Sequence, residues 1–197
     1  MLLLLDVGNT RIGCGLSEGE GIAHRWSWPT ALDRSAEFYG EDLRQALEGR
    51  GICPDDLQAV VCSSVVRGMT DRLRTGIQAV CTTPFVTADP SMDLGMDLAV
   101  PHPEAVGIDR LLAAGEAYRL SKGSVIVVDF GSAVTIDMVS ADGRFLGGAI
   151  TAGLRTAISG LSAKTSLLPE VELVEPETVL GQDTRECILA GVVHATA

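Results

Sequence analysis

The sequence predicts an α/β protein built from two similar lobes that face each other across a cleft. Three observations lead there. Two short apolar runs, Leu2–Leu5 and Ser124–Val128, each end in an Asp-x-Gly turn. Each turn opens a hairpin, and helical periodicity follows each hairpin. The second turn, Asp129-Phe130-Gly131-Ser132-Ala133, echoes Asp6-Val7-Gly8-Asn9-Thr10 at an offset of 123 residues. An internal repeat of this kind sets the architecture. A length of 197 residues suffices for two lobes, each with its own core. We expect one lobe over residues 1–100 and the other over 101–197.

The elements follow in order. Leu2–Val7 reads as a buried central strand. Arg11–Leu16 and Gly21–Trp28 read as the next two strands. Asp33–Glu48 reads as a helix with Leu43 and Leu47 on one face and Gly49 after its end. Ala59–Ser63 is another buried strand. Thr70 or Asp71 is the expected cap of a helix striped by Leu73, Ile77 and Val80. Pro84–Thr87 is a short strand, and residues 88–103 read as a connection. A helix is expected over Pro103–Leu120, striped by Ile108, Leu111, Leu112 and Gly115. Ser124–Asp129 and Ala133–Ser140 are strands, with a hairpin turn at Ala141-Asp142-Gly143 leading into Arg144–Thr151. Gly153–Lys164 and a segment starting at Thr184 close the series as helices.

Composition removes several classes of function. The chain is too apolar, at 46% hydrophobic, for disorder. A net charge of −11 repels phosphate backbones, so nucleic acid is not an expected partner. Five cysteines, widely spaced and without a Cys-x-x-Cys pair, argue against disulfides or zinc. They read as small buried hydrophobes. Leu2–Leu5 is too short for a signal peptide or a span, so no membrane association is expected and the location reads as cytoplasmic. Lys122 and Lys164 are the only lysines, and neither follows a Gly-rich phosphate loop. A Walker-type kinase is therefore not expected.

The Asp-x-Gly turns have chemistry of their own. Glycine lets backbone approach a ligand closely. The amides after Gly8, with the Asn9 and Thr10 side chains, can donate to phosphate oxygens. The Asp6 carboxylate can hold hydrated Mg²⁺, a cation that prefers oxygen ligands. A plain Asx turn is the bland reading of one copy. Two copies at equivalent places favour a ligand.

At this point the chain resembles a known group. The turns are similar to the phosphate loops of the superfamily of acetate and sugar kinases, heat-shock chaperone ATPases and actin. Within it the chain resembles the type III pantothenate kinase family. The likeness rests on Asp6–Gly13 (DVGNTRIG), Ser63–Val66 (SSVV), Gly107–Arg110 (GIDR), Asp129–Asp137 (DFGSAVTID), Gly147–Leu154 (GGAITAGL) and Thr165–Pro169 (TSLLP). The resemblance implies two RNase H-like lobes with mixed sheets and an active site between them. It implies transfer of the γ-phosphoryl of ATP to pantothenate, giving 4′-phosphopantothenate, the first step of coenzyme A biosynthesis.

By the same resemblance Asp109 is the base. Asp6, Val7, Gly8, Asn9, Thr10, Arg11, Ile12, Gly13 and Ser132 bind the nucleotide, with Mg²⁺ held by Asp6 through water. Gly107, Ile108, Asp109, Arg110 and Thr165 meet pantothenate. Asp129 binds a monovalent cation, K⁺ or NH₄⁺. Gly147, Gly148 and Gly153 lie in the adenosine-side segment. A homodimer is expected.

The chain departs from the family pattern in two places. Before GxDR the family has Tyr-x-Asn-Pro, where this chain has Val100-Pro101-His102-Pro103. The family also carries further helical structure beyond the segment matching Cys187–Val193, so the second lobe is expected to be incomplete at Ala197. Two rival functions follow: another small-alcohol phosphotransferase of the superfamily, or a non-catalytic accessory or regulatory homologue.

Overall fold

The computed structural model describes residues 1–19 and 21–196; Ala197 lies outside the described residues. In chain order the elements are β1 (Leu2–Val7), β2 (Arg11–Glu18), β3 (Gly21–Pro29), α1 (Ala36–Glu48), β4 (Ala59–Ser64), α2 (Met69–Gln78) and β5 (Phe85–Thr87). After these come β6 (Asp97–Leu98), α3 (Ile108–Ser121), β7 (Val125–Phe130), β8 (Ala133–Val139), β9 (Arg144–Ala152), α4 (Leu154–Lys164) and α5 (Thr184–His194). Two sheets result, with strand orders β3-β2-β1-β4-β5 and β6-β9-β8-β7.

In the first sheet β1 is central, antiparallel to β2 and parallel to β4. Its alternating residues Leu3, Leu5 and Val7 are at most 2% exposed. They pack with Ile12 and Leu16 of β2, Leu43 and Leu47 of α1, and Leu73 and Ile77 of α2. The fully buried Tyr39 places its hydroxyl on the Ala31 carbonyl, 2.9 Å away. A buried phenol needs such a partner.

The second sheet repeats the first hairpin in register. Leu3 faces Leu16 and Leu5 faces Cys14 in one lobe, as Ile126 faces Met138 and Val128 faces Ile136 in the other. The covered faces differ. In the second lobe α3 packs on the opposite face, against Val125, Val139 and Phe145. The residues equivalent to Leu3, Leu5 and Val7 are left in solvent: Ile126, Val128 and Phe130 are 59%, 47% and 65% exposed. Among the described residues β7 pairs only with β8, whereas β1 has a partner on each edge. A small third cluster, Ile158, Val171, Ile188 and Leu189, joins α4 to α5.

The structure corrects several expected boundaries. The first helix starts at Ala36, because the Ser35 hydroxyl accepts the Phe38 amide and caps it. The second starts at Met69, not after a Thr70 or Asp71 cap. Gly68 at φ +75° makes the turn that precedes it. The expected Pro103–Leu120 helix is two pieces, a 3₁₀ turn over Pro103–Ala105 and then α3. Of the expected stripe on α3, Ile108, Leu111 and Gly115 are buried, while Ala114 is buried in place of the exposed Leu112. The connection over 88–103 contains β6, which pairs in parallel with β9. Of the five free cysteines, Cys14, Cys62 and Cys81 are buried, while Cys53 and Cys187 are exposed.

The unequal covering has a direct consequence for stability. Leu5→Ala should cost about 2–5 kcal/mol, as for a fully buried leucine. Val128→Ala, at the equivalent position on the open face, should cost less than about 1 kcal/mol. Urea unfolding of the two variants checks both values.

Candidate active site

Asp6 stands near the end of β1, beside Gly13 on one neighbouring strand and Ser63 on the other. Asp129 occupies the matching place in β7. Asp109 is the second residue of α3. The sequence separates these carboxylates widely, and the fold makes them electrostatic neighbours. The side chain of Asp6 is exposed at its rim, yet the surrounding protein strips water from it. That desolvation, followed by repulsion from Asp109 and then Asp129, raises its pKa above the ordinary aspartate value. Ser63 acts in the lowering direction, although the buried Ser63 hydroxyl has no hydrogen bond of ordinary geometry.

The two Asp-x-Gly turns touch. The hydroxyls of Thr10 and Ser132, one from each turn, are 2.8 Å apart in a hydrogen bond. Each turn is also braced from behind. Thr30 donates from its hydroxyl to the Gly8 carbonyl at 2.6 Å and from its amide to the Thr10 carbonyl at 3.1 Å. On the other side the Ser132 carbonyl accepts the Gly153 amide at 3.0 Å and the Thr156 hydroxyl at 2.6 Å. The start of α4 therefore locks the second turn as the end of β3 locks the first.

The site residues expected from the sequence sort into three sets. Asn9, Thr10, Arg11 and Ser132 are exposed at the turns, the hydroxyls of Thr10 and Ser132 bonded to each other. Val7, Ile12 and Ile108 are buried in the two cores, so only their backbone can face one. A Cβ at Gly8 would lie 3.3 Å from the Arg11 carbonyl oxygen, whereas one at Gly13 would meet Asp6 at an ordinary 3.7 Å. Gly107 is explained by its neighbour, since a Cβ there would lie 2.5 Å from Asp109 Oδ1. Asp109 Oδ1 accepts the Arg110 amide at 2.8 Å, which folds the carboxylate over the first turn of α3.

Arg110 does not simply line an open pocket. Its Nε and Nη2 donate to the two carboxylate oxygens of Asp137, at 3.1 and 2.5 Å. Thr165 ends α4 and donates its hydroxyl to the Leu161 carbonyl at 2.8 Å. Gly148 and Gly153 are crowded by the protein's own backbone, at Ile136 and Gly131 respectively. Val100 packs into the second core and His102 pairs with Glu104 at the surface, at 3.3 Å. Cavities of about 360 and 740 Å³ flank α4, and neither is lined by the three carboxylates.

Sequence reading missed Asp137, Thr30 and Thr156 as parts of the site. For Asp137 a signal existed. It has the parity of Val139, a buried position of the strand, and a carboxylate there requires a partner.

Among the described residues no cluster of three or more His, Cys, Asp or Glu side chains forms a metal cage. The converging carboxylates and the unpartnered Ser63 hydroxyl still suit a hydrated cation. Mg²⁺ keeps several waters and needs only one or two carboxylates beside a nucleotide's phosphates. Loops that position phosphates, a cation site and a carboxylate between them are the parts that phosphoryl transfer needs. No helix among the described residues is long and apolar enough to cross a membrane.

Comparison with known proteins gives a consistent result. The family model for type III pantothenate kinase matches residues 2–197. A type III pantothenate kinase of Agathobacter rectalis is 35% identical over 98% of this chain and 75% of its own length. Those of Moorella thermoacetica and Myxococcus xanthus are each 37% identical, over 98% of this chain and 76% of their own. Among solved structures, a protein from Campylobacter jejuni described as a Baf family transcriptional activator is 22% identical. It superposes with a TM-score of 0.54 over 98% of this chain and 75% of its own. A protein from Sinorhizobium meliloti described as a 2-dehydro-3-deoxygalactonokinase reaches 0.50 at 13% identity, over 85% of this chain and 58% of its own. These two likenesses concern the fold.

The strained charge at Asp6 sets a pH test. A carboxylate whose folded pKa is raised favours the folded state below its unfolded pKa and loses that contribution as pH rises through the folded value. Asp6→Asn should therefore raise the thermal midpoint of the ligand-free protein at pH 7. The gain should shrink as the pH falls to the ordinary aspartate range. Thermal unfolding across pH checks the sign.

Proposed function

We infer the activity from one premise: the chain belongs to the type III pantothenate kinase family. It is an ATP-dependent kinase that phosphorylates pantothenate, the step that opens coenzyme A biosynthesis. Its substrates are pantothenate and ATP. The rest of the mechanism is our reading of the site.

The convergence of Asp6, Asp109 and Asp129 on two clasped turns supports that reading most strongly. In it, the amides and hydroxyls of residues 8–13 and Ser132 cradle the phosphates of ATP. Asp6 holds Mg²⁺ through water and Asp129 holds K⁺ or NH₄⁺. When bound, these cations neutralise charge on the phosphates. Asp109 accepts the proton of the pantothenate hydroxyl. The hydroxyl oxygen bonds to the γ-phosphorus as the bond from that phosphorus to the β–γ bridging oxygen breaks, and ADP leaves with that oxygen. Arg110 faces the substrate carboxylate, a role that suits a planar, permanently charged fork. We place the reaction in the cytoplasm and the working form as a homodimer.

The base assignment is open to a direct measurement. Asp109→Asn should lower kcat about 10²–10⁴-fold, the usual contribution of a general base. The thermal midpoint should change little. A coupled ADP-release assay with pantothenate reads the rate, and full turnover in the variant overturns the assignment.

A further inference from the structure

The structure has one buried carboxylate that phosphoryl transfer does not directly require. Asp137 is 2% exposed, in the middle of β8 and facing α3. On that face Val127 stands opposite it and Val139 two residues along its own strand, next to the apolar cluster of Val125 and Phe145, while Thr135 and Asp129 lie on its other side. It sits in a built slot. Opposite it in β9 is Gly148, where a Cβ would come 2.5 Å from Asp137 Oδ1. Both carboxylate oxygens are taken by Arg110, whose side chain is 15% exposed.

Stability alone is a poor reason to keep such a pair. Two ions lose more on desolvation than their attraction readily returns, and apolar replacements of a buried pair are often no less stable. Its place in the fold suggests another reason. Arg110 follows Asp109 directly, and its amide holds Asp109 Oδ1. A continuous set of contacts therefore runs from the β8 carboxylate, through the guanidinium, to the first turn of α3 and its carboxylate. Of the five guanidinium N–H donors, Nε and Nη2 point at Asp137. The two on Nη1 have no partner among the described residues. A fork pinned along one edge presents the other edge in one direction only. An unpinned arginine has many rotamers and loses that freedom on binding an anion.

We propose that Asp137 is a positioning residue for the reaction, acting through Arg110 to orient the donor edge that receives the substrate carboxylate. The proposal rests on the reading of Arg110 as a substrate contact and deepens it. Asp137 touches neither substrate nor the reacting atoms. Its effect must therefore vanish when Arg110 is gone.

The experiment is steady-state kinetics of the full chain with Mg-ATP, K⁺ and pantothenate. Asp137→Asn keeps the shape and removes the charge. It should raise the KM for pantothenate at least tenfold while the KM for ATP stays within twofold. Val139→Ala, a core loss on the same sheet face, should leave both KM values within twofold. In an Arg110→Met background, adding Asp137→Leu should change kcat/KM by less than twofold. That double variant leaves no unpaired buried charge, so it keeps the test alive if Asp137→Asn fails to fold. An unchanged pantothenate KM in a folded Asp137→Asn overturns the positioning role, as does a parallel rise for ATP. A further tenfold loss in the Arg110→Met background overturns it too. A wild type without pantothenate-dependent turnover overturns the functional reading, and this role falls with it.

Discussion

Three carboxylates held as electrostatic neighbours are the constraint around which this molecule is arranged. Like charges repel, and Asp6 is partly stripped of water, so the ligand-free fold stores unfavourable electrostatics there. What holds them is backbone. Asp6 and Asp129 are strand residues whose neighbours are fixed by ladder hydrogen bonds and by the cores behind them. Asp109 is fixed by its own helix turn. The hydrogen bond between Thr10 and Ser132 closes the arrangement across the lobes. A cation drawn into such a site would meet a charge already gathered for it.

That constraint also accounts for the charge of the chain. With a net charge of −11 and only two lysines, the chain as a whole repels a nucleotide at a distance. In the proposed reading, handling of anions falls to amides at the turns, to cations and to the Arg110 guanidinium. That guanidinium is itself paired, which tempers its charge and fixes its direction. A site of this kind acts at short range and through geometry, because a distant ligand experiences a repulsive field.

The two lobes share a hairpin register but use it differently. In the first, one face of the sheet is sealed by α1 and α2, giving a core of leucines with almost no exposure. In the second, α3 seals the other face, and the strand residues equivalent to that core are in water. The placement of α3 is what brings Asp109 close to Asp6 and Arg110 onto Asp137 of β8. The cost is an exposed apolar face formed by Ile126, Val128 and Phe130.

Much of this was legible in the chain itself. Runs such as Leu2–Val7 and Val125–Phe130 must be strands because apolar side chains bounded by Asp-x-Gly turns have few alternatives. The echo at 123 residues announced two lobes, and the ordered motifs announced the family. Helix starts were less legible: Ser35 and Gly68 act as caps through local geometry that composition does not reveal. The roles of side chains were the least legible. Val7 and Ile12 lie within a motif that reads as nucleotide-binding, yet their side chains belong to the core. Arg110 reads as an anion clamp, yet its fork is anchored on Asp137, a residue 27 positions away. The sequence by itself determined which strands, turns and carboxylates exist, because those follow from local pattern. Only the tertiary structure decided which of them meet, because the partners of a buried charge are set by packing between elements far apart in the chain.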